Sequence, residues 1–361
     1  MTSNSHELPP HILAPGRATR SNAVGRFEPY ERTAEHDGWE IPEQPQIVRT
    51  EVATENVRKI ITRNTSPDIS FDRSINPYRG CEHGCIYCFA RPTHAYLGMS
   101  PGLDFETRLV ARPNAAKRLK TELSRPNYSV KPIAIGTNTD AYQPIEATYK
   151  IMRDVLTVLR DFQHPVTIVT KGVLVERDID ILGEMGQAGL ARVGISVTTL
   201  DPKVSRAMEP RVPAPMRRLK TIERLCNAGC PVHVMMSPVI PALTDHEIES
   251  ILAQSAAAGA DAANWVMLRL PLEVSPLFQD WLATHFPDRA ARIMARVREM
   301  HGGQTYDAQW GHRMRGEGFY ADLISQRFKL AARRHDLNKR PRDLRCDLFR
   351  VPGGGTQLSL F

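Results

Sequence analysis

Three closely spaced cysteines are the residues with the clearest capacity for chemistry. Cys81, Cys85 and Cys88 form a C-x3-C-x2-C loop. A four-iron, four-sulfur cluster normally takes four thiolates, so a loop with three leaves one iron open to a further ligand. Gly80 and Gly84 allow a short loop to curl closely around such a cluster. The spacing therefore predicts that these cysteines hold a 4Fe–4S cluster.

Two other interpretations of the loop stay open: a zinc site and a group of inert buried thiols. A structural zinc ion usually takes four ligands, often in two separated pairs. His83 or His94 could complete such a set, although no second cysteine pair lies beside the loop. Cys226 and Cys230 are predicted to be core residues, because free cysteine is among the most buried residue types.

The elements that must position this loop follow it along the chain. From residue 132, short apolar runs alternate with segments of helical period, a pattern typical of βαβ units around a parallel sheet. The predicted strands are 132–136, 165–170, 191–198, 231–239 and 265–270, and the predicted helices are 148–161, 178–188, 216–228 and 245–258. The sequence thus predicts an α/β fold, a partial (β/α)6 TIM-like barrel with the cysteine site at the C-terminal rim of the strands.

Composition divides the chain into four predicted parts. Residues 1–45 are rich in Pro, Gly, Ser and charged residues, which predicts a mostly disordered arm. Residues 46–275 form the barrel, and 276–350 form a small basic helical extension. Residues 351–361 form a flexible tail that begins with Gly353–Gly355.

Sequence segments around these elements resemble the radical S-adenosylmethionine superfamily. More narrowly, they resemble a bacterial subgroup related to spore photoproduct lyase and described as DNA-repair photolyase-like. The resemblance covers about residues 15–350. It rests on NPYRGCEHGCIYCFARPTHAYLG (76–98), TNTDAYQPIE (137–146), VTKGVLVERDIDIL (169–182), SPVIPALTD (237–245) and LRLPLEV (268–274). It implies that the open iron binds S-adenosylmethionine and that reduction, from a donor such as flavodoxin or ferredoxin, yields a 5′-deoxyadenosyl radical.

The resemblance also departs from spore photoproduct lyase at one position. That enzyme places a hydrogen-donating cysteine beside the end of the second strand, where this chain has no thiol. Reversal of a thymine dimer is therefore not inferred for this chain.

Residues at successive strand ends are candidates for binding S-adenosylmethionine. The resemblance implies that Thr139 and Asp140 lie where the methionine amino group binds. Lys171 ends the next strand and could pair with the methionine carboxylate. Ser196 and Thr198 lie at the end of the third strand, within reach of the ribose.

Three further side chains belong to the same region of the predicted barrel. Tyr87 offers a flat ring on which the adenine could lie. Glu146 is expected to support its loop through hydrogen bonds. The role of Arg269 stays open.

The charge and the cysteine content of the chain indicate its cellular compartment and the class of its binding partners. The formal charge is +7 and the sequence pI is about 9.2. Residues 327–350 carry nine Lys/Arg against three Asp, which fits either a solvated helix face or a nucleic-acid footprint. Clustered thiols, no apolar run of about 18–20 residues and no recognisable secretory signal predict a cytoplasmic protein without a membrane partner.

The last five residues provide a second, narrower resemblance. They are Gln357, Leu358, Ser359, Leu360 and Phe361. This peptide resembles the motif by which bacterial polymerases and repair proteins bind the DNA polymerase III sliding clamp. Its apolar side chains would anchor in a pocket, after a glycine linker that lets the peptide reach outward. The alternative is a hydrophobic terminus that folds back on its own domain.

These observations predict a radical S-adenosylmethionine enzyme, lyase or transferase, acting on nucleic acid. DNA repair or modification is preferred because of the tail. An RNA-modifying radical enzyme and a non-enzymatic zinc and DNA-binding module remain the alternatives.

Overall fold

The computed structural model describes residues 14–30, 47–339 and 343–353. Its strands are β1 Glu51–Thr54, β2 Ile61–Arg63, β3 Arg73–Ile75, β4 Tyr78–Arg79, β5 Arg108–Ala111, β6 Ile133–Ile135, β7 Val166–Thr170, β8 Ala191–Ser196, β9 Val232–Val239 and β10 Ala262–Met267. Its α-helices are α1 Leu103–Thr107, α2 Ala115–Leu123, α3 Glu146–Tyr149, α4 Ile151–Asp161, α5 Ile179–Gln187, α6 Pro202–Met208, α7 Pro215–Asn227, α8 Ile248–Ala257, α9 Val274–His285, α10 Pro287–Glu299 and α11 Gly318–Arg334. Short 3₁₀ helices span Arg91–Leu97, Val173–Asp178 and Asp245–Glu247.

A seven-stranded sheet forms the centre of the protein, in the order β10-β9-β8-β7-β6-β3-β2. Strands β3 and β6 to β10 run parallel, and β2 pairs antiparallel with β3 at one edge. Because each new strand joins beside the previous one and helices connect them, the C-terminal ends of six parallel strands share one rim. The predicted α/β class and partial barrel are confirmed.

Three of the differences from the sequence prediction concern the barrel itself. The last strand, predicted at 265–270, is β10 at Ala262–Met267, because the buried apolar run continues into the following loop. The helix predicted at 148–161 is interrupted at Lys150, whose φ of 52° separates α3 from α4. Strand β3 was not predicted, since two of its three residues are polar and it shows no apolar run.

The C-terminal helices pack against the rim as well as against the barrel wall. Helix α9 and helix α10 share a buried apolar cluster with Ile86 and Tyr87 of the cysteine loop. The indole of Trp281 in α9 donates to the carbonyl oxygen of Ala207 at 3.0 Å. The extension therefore helps to enclose the cysteine site. Within the described residues, no helix is both long and apolar enough to cross a bilayer.

The last described residues lie at the opposite end of the barrel. The backbone N–H groups of Arg345 and Arg350 each donate to a carbonyl oxygen, of Gly189 and Phe162 respectively, both at 3.0 Å. Those carbonyls precede β8 and β7, so this segment crosses the N-terminal ends of the parallel strands. The ring of Phe349 packs 5.5 Å from that of Tyr128 and holds the segment there. The predicted tail peptide 357–361 lies outside the described residues.

Candidate active site at the rim of the barrel

The cysteine loop leaves the sheet at the C-terminal end of β3, and β4 leads directly into it. Cys81 and Cys85 are buried and Cys88 is half-buried. Within the described residues, none of these three thiols donates a hydrogen bond, whereas Cys226 donates to the carbonyl oxygen of Gly259 at 3.1 Å. Cys230 is buried as predicted, whereas Cys226 is only half-buried at the edge of the core, so the prediction that both are core residues is wrong for Cys226.

The surroundings of the loop disfavour free thiolates. Burial raises the pKa of Cys81 well above its usual value and raises that of Cys85 to about 12, although Lys171 opposes the latter shift. Neighbouring loop thiols raise both pKa values further, so the three sulfurs lie close together. A metal centre removes such protons by binding the thiolate. Among the described residues no three His, Cys, Asp or Glu side chains are placed to hold a single metal ion, while a four-iron cluster receives each thiolate on a different iron.

Glycine is required at both ends of the first turn of this loop. Gly80 and Gly84 adopt left-handed backbone, with φ of 72° and 66°. A Cβ atom on Gly84 would lie 2.5 Å from Glu106 Oε2, and one on Gly80 would lie 2.6 Å from Leu109 Cδ2. Both the backbone angle and the lack of space therefore favour glycine.

Arg91 fixes the inner side of the loop. Its guanidinium donates to the carbonyl oxygens of Gly84 at 2.9 Å and Cys85 at 3.0 Å, and it pairs with Glu106 at 2.6 Å. Both charged side chains are completely buried. A buried ion pair adds little net stability, but loss of one partner is costly. The pair therefore acts mainly to fix the backbone that carries the cysteines.

Residues 14–30 lie against the same buried pair. The backbone N–H groups of Ala18 and Thr19 donate to the Glu106 carboxylate at 3.1 and 3.2 Å. Arg17 donates to the Glu106 carbonyl oxygen at 3.0 Å. This part of the predicted N-terminal arm is thus laid over the cysteine loop, while residues 1–13 and 31–46 lie outside the described residues.

Thr139 and Asp140 follow β6 and hydrogen-bond within the protein. The Thr139 hydroxyl donates to the carbonyl oxygen of Gly80 at 2.6 Å. Asp140 accepts from the Thr170 hydroxyl at 2.6 Å and from the backbone N–H of Lys171 at 2.8 Å. Burial would raise the pKa of Asp140, but the contact with His83 and these hydrogen bonds lower it to about 2. The two residues connect the cysteine loop to the end of β7.

A second buried network stands beside Cys85. Glu209 accepts hydrogen bonds from the hydroxyls of Tyr87 and Thr198 and pairs with Arg218 at 2.8 Å. The ammonium group of Lys171 lies 5.7 Å from the centre of the Tyr87 ring. Burial tends to lower the pKa of Lys171, but the negative charges of Cys85 and Glu209 raise it overall. The structure therefore brings a lysine cation and an aromatic ring together at the cysteine site.

The other candidate side chains are distributed around this network. Ser196 is buried at the end of β8, and its carbonyl oxygen accepts from Arg218 at 3.0 Å. Glu146 is buried and accepts from Arg177 at 2.6 Å and from the Tyr78 hydroxyl, which supports its loop as predicted. Arg269 follows β10 and places its guanidinium 4.8 Å from the ring of Phe89.

Four residues that shape the site were not predicted from the sequence. Arg91, Glu106, Glu209 and Arg218 form two buried ion pairs, and nothing local in the sequence indicates either pairing. Of these four residues, only Arg91 is close to the cysteines in the sequence, three residues after Cys88.

Comparison with known proteins agrees with this geometry. The model of the Radical SAM superfamily matches residues 75–254, which include the cysteine loop and strands β6 to β9 of the parallel series. An uncharacterised protein of Mycobacterium tuberculosis is 39% identical over 240 residues, which are 66% of this chain and 69% of the relative. An uncharacterised protein of Methanocaldococcus jannaschii is 26% identical over 216 residues, 59% of this chain and 76% of the relative.

Solved structures share the fold. Spore photoproduct lyase complexed with dinucleoside spore photoproduct superposes with a TM-score of 0.53 at 15% identity, covering 79% of this chain and 78% of that one. A spore photoproduct lyase variant with bound AdoMet and the same dinucleoside gives a TM-score of 0.54 with the same identity and coverage. The family model, the identity to the mycobacterial relative and the shared fold together show that this chain belongs to the Radical SAM superfamily and is an enzyme of that class.

Proposed function

We propose that the chain cleaves S-adenosylmethionine reductively with a 4Fe–4S cluster held by Cys81, Cys85 and Cys88, and that the resulting radical acts on DNA. The observation that carries the proposal is the gathering of three buried or half-buried thiols at the rim, next to the cation of Lys171. When bound, the reduced cluster supplies the electron that converts S-adenosylmethionine to methionine and a 5′-deoxyadenosyl radical.

The residues around the loop would bind and orient S-adenosylmethionine. Lys171 has no acidic hydrogen-bond partner among the described residues, so its ammonium group is available for the methionine carboxylate. Ser196 is the candidate for the ribose. Tyr87 would present a ring face to the adenine, because its hydroxyl is already engaged by Glu209.

Three other residues of the proposed set would act through their neighbours. The side chains of Thr139, Asp140 and Thr198 are engaged within the protein. We therefore assign them the role of positioning the loop and the network that bind S-adenosylmethionine.

Three observations support a nucleic-acid substrate, and DNA in particular. The formal charge of +7 suits a polyanion. A neighbour in fold, spore photoproduct lyase, is seen complexed with a dinucleoside photoproduct. The peptide from Gln357 to Phe361 resembles a sliding-clamp ligand. An RNA substrate is the second candidate, and the tail is the feature that argues for DNA.

Removing one cysteine tests the proposed chemistry. Anaerobically reconstituted protein should bind about four irons, absorb near 400 nm and release 5′-deoxyadenosine with dithionite. Cys85→Ala should abolish all three properties. Cys226→Ala is the matched control, since this thiol bonds to a carbonyl away from the loop, and it should keep them. Full activity of Cys85→Ala, or one bound zinc in place of iron, would overturn the proposal.

The tail provides a separate test of the DNA assignment. Deletion of residues 357–361 should abolish retention on immobilised sliding clamp while 5′-deoxyadenosine release remains, because a short apolar anchor carries such contacts. The intact protein should bind the clamp at micromolar concentration. No retention of the intact protein would remove the main argument for DNA over RNA.

A further inference from the structure

We infer that an exposed aromatic and arginine surface beside the cysteine loop binds a single-stranded segment of DNA. This surface, here called the stacking platform, consists of Arg26, Phe27, Phe89, Tyr96 and Arg269. The inference rests on the proposed function, because it names how the nucleic-acid substrate of the same site would be held.

The outer part of the platform is a pair of exposed rings. Phe27 and Tyr96 lie with ring centres 5.3 Å apart and planes inclined by only 24°. They expose 55% and 69% of their surface. The guanidinium carbon of Arg26 lies 5.4 Å from the Phe27 ring centre and 5.8 Å from that of Tyr96. Two rings and a cation are thus assembled in one place without being buried.

The inner part of the platform repeats the same combination next to the cysteines. Phe89 follows Cys88 directly and is 44% exposed. The guanidinium carbon of Arg269 lies 4.8 Å from its ring centre. Phe89 therefore lies where the rim meets solvent.

One ion pair and one short helix join the two parts. Arg26 Nε contacts Glu273 Oε1 at 2.7 Å, and Glu273 is four residues beyond Arg269. The 3₁₀ helix Arg91–Leu97 connects Phe89 to Tyr96. Both parts are therefore attached to the same two segments, the 3₁₀ helix after the third cysteine and the loop after β10.

This combination suits unpaired nucleotides better than an apolar partner. Aromatic rings stack on any base, because every base has a flat face, and arginine contributes cation–π and phosphate contacts. Apolar groups that cluster on the surface, as Phe27 and Tyr96 do, mark binding sites more often than singly scattered ones. Each ring of the platform lies within cation–π distance of an arginine, so a polyanion with flat bases complements both components. A base unstacked for radical chemistry would need such support.

The experiment measures binding of a fluorescein-labelled single-stranded DNA oligonucleotide to cluster-loaded protein by anisotropy. The double variant Phe27→Ala/Tyr96→Ala should weaken binding about tenfold or more, since stacking on an aromatic side chain contributes strongly per base. Tyr96→Phe should bind like wild type, because the ring face is retained. Phe319→Ala removes another exposed phenylalanine, on α11, and is the matched control.

The outcomes separate three claims: the platform, the choice of DNA and the radical chemistry. Wild-type affinity in the double variant would overturn the platform while leaving the proposed function intact. Equal losses in the double variant and Phe319→Ala would also overturn it. Tighter binding of an RNA oligonucleotide of the same sequence would overturn the choice of DNA. Release of 5′-deoxyadenosine, measured on the same preparations without nucleic acid, tests the radical chemistry separately.

Discussion

At the C-terminal ends of the parallel strands, the ion pairs Arg91–Glu106 and Arg218–Glu209 are completely buried. At the N-terminal ends, the side chains of Arg345 and Asp347 pair while keeping 52% and 63% of their surface exposed. These pairs belong to one barrel but to opposite surroundings, buried beside the cysteine loop and exposed on the final segment.

The difference in burial between these ion pairs indicates a different role for each. Burying charges costs solvation energy that pairing only partly returns, whereas exposed pairs cost and contribute little. The buried pairs fix the cysteine loop and the residues beside it. At the other end, the final segment is held by apolar contacts such as those of Phe349, and its charges remain in solvent. The two buried pairs therefore fix the backbone and side chains at the rim, where we propose that the chemistry occurs.

The largest effect should follow from breaking a buried pair. Arg91→Met should destabilise the protein by about 3–5 kcal/mol, because it leaves the Glu106 carboxylate buried without its partner. It should also reduce iron loading, since the carbonyl oxygens of Gly84 and Cys85 no longer have a donor. Urea denaturation and iron analysis measure the two effects.

The same substitution at the other end is the control. Arg345→Met removes an exposed partner of Asp347, and we expect iron loading and the denaturation midpoint to stay close to wild type. Equal destabilisation by the two substitutions would contradict the contrast between the ends.

A smaller effect is expected at Lys171. Lys171→Ala should weaken S-adenosylmethionine binding about tenfold or more, because the variant cannot make a charge-assisted hydrogen bond to the carboxylate. The absorbance of the cluster should not change, since Lys171 is not an iron ligand. Calorimetric titration under anaerobic conditions measures the dissociation constant.

An exposed lysine provides the comparison for that experiment. Lys203→Ala alters a lysine at the start of α6 that faces solvent, so its dissociation constant should match wild type. An unchanged constant for Lys171→Ala would remove Lys171 from the binding site.

Features that are encoded by neighbouring residues could be predicted from the sequence. The spacing of Cys81, Cys85 and Cys88 is a local pattern, and five of the six parallel strands, β6 to β10, appear as short apolar runs. Lys171 follows β7 directly, and a residue that follows a parallel strand lies at the rim, so its place was predictable. These features account for the fold class and for the location of the site.

The features that sequence did not provide depend on distant partners. Glu209 bonds to Tyr87, which precedes it by 122 residues, and Glu106 receives N–H groups from the segment around Ala18, 88 residues earlier. Nothing in the sequence around either glutamate distinguishes it from an acidic residue exposed to solvent. Phe27 and Tyr96 are likewise far apart in the chain, so their stacking could not be predicted.

The smallest effect concerns the basic segment 327–350 and its distance from the rim. Exposed Lys329, Arg333 and Arg334 lie on the part of α11 that runs toward the N-terminal ends of the strands, whereas Arg327 is engaged by Glu249 at 2.9 and 2.6 Å. If the exposed cations bind phosphates, changing all three to Gln should lower affinity for duplex DNA and reduce its salt dependence. The logarithmic slope should fall by roughly 0.9 for each phosphate that is no longer neutralised.

The location of these cations separates their role from that of the platform. Because they lie away from the rim, the triple variant should have weaker non-specific duplex affinity while keeping the difference between wild type and Phe27→Ala/Tyr96→Ala on single-stranded DNA. Anisotropy titrations at several salt concentrations measure both quantities. An unchanged salt slope would mean that the cations form a solvated helix face. Disappearance of the single-strand difference would mean that one nucleic-acid surface extends over both ends of the barrel, which would contradict the division of tasks argued from their charges.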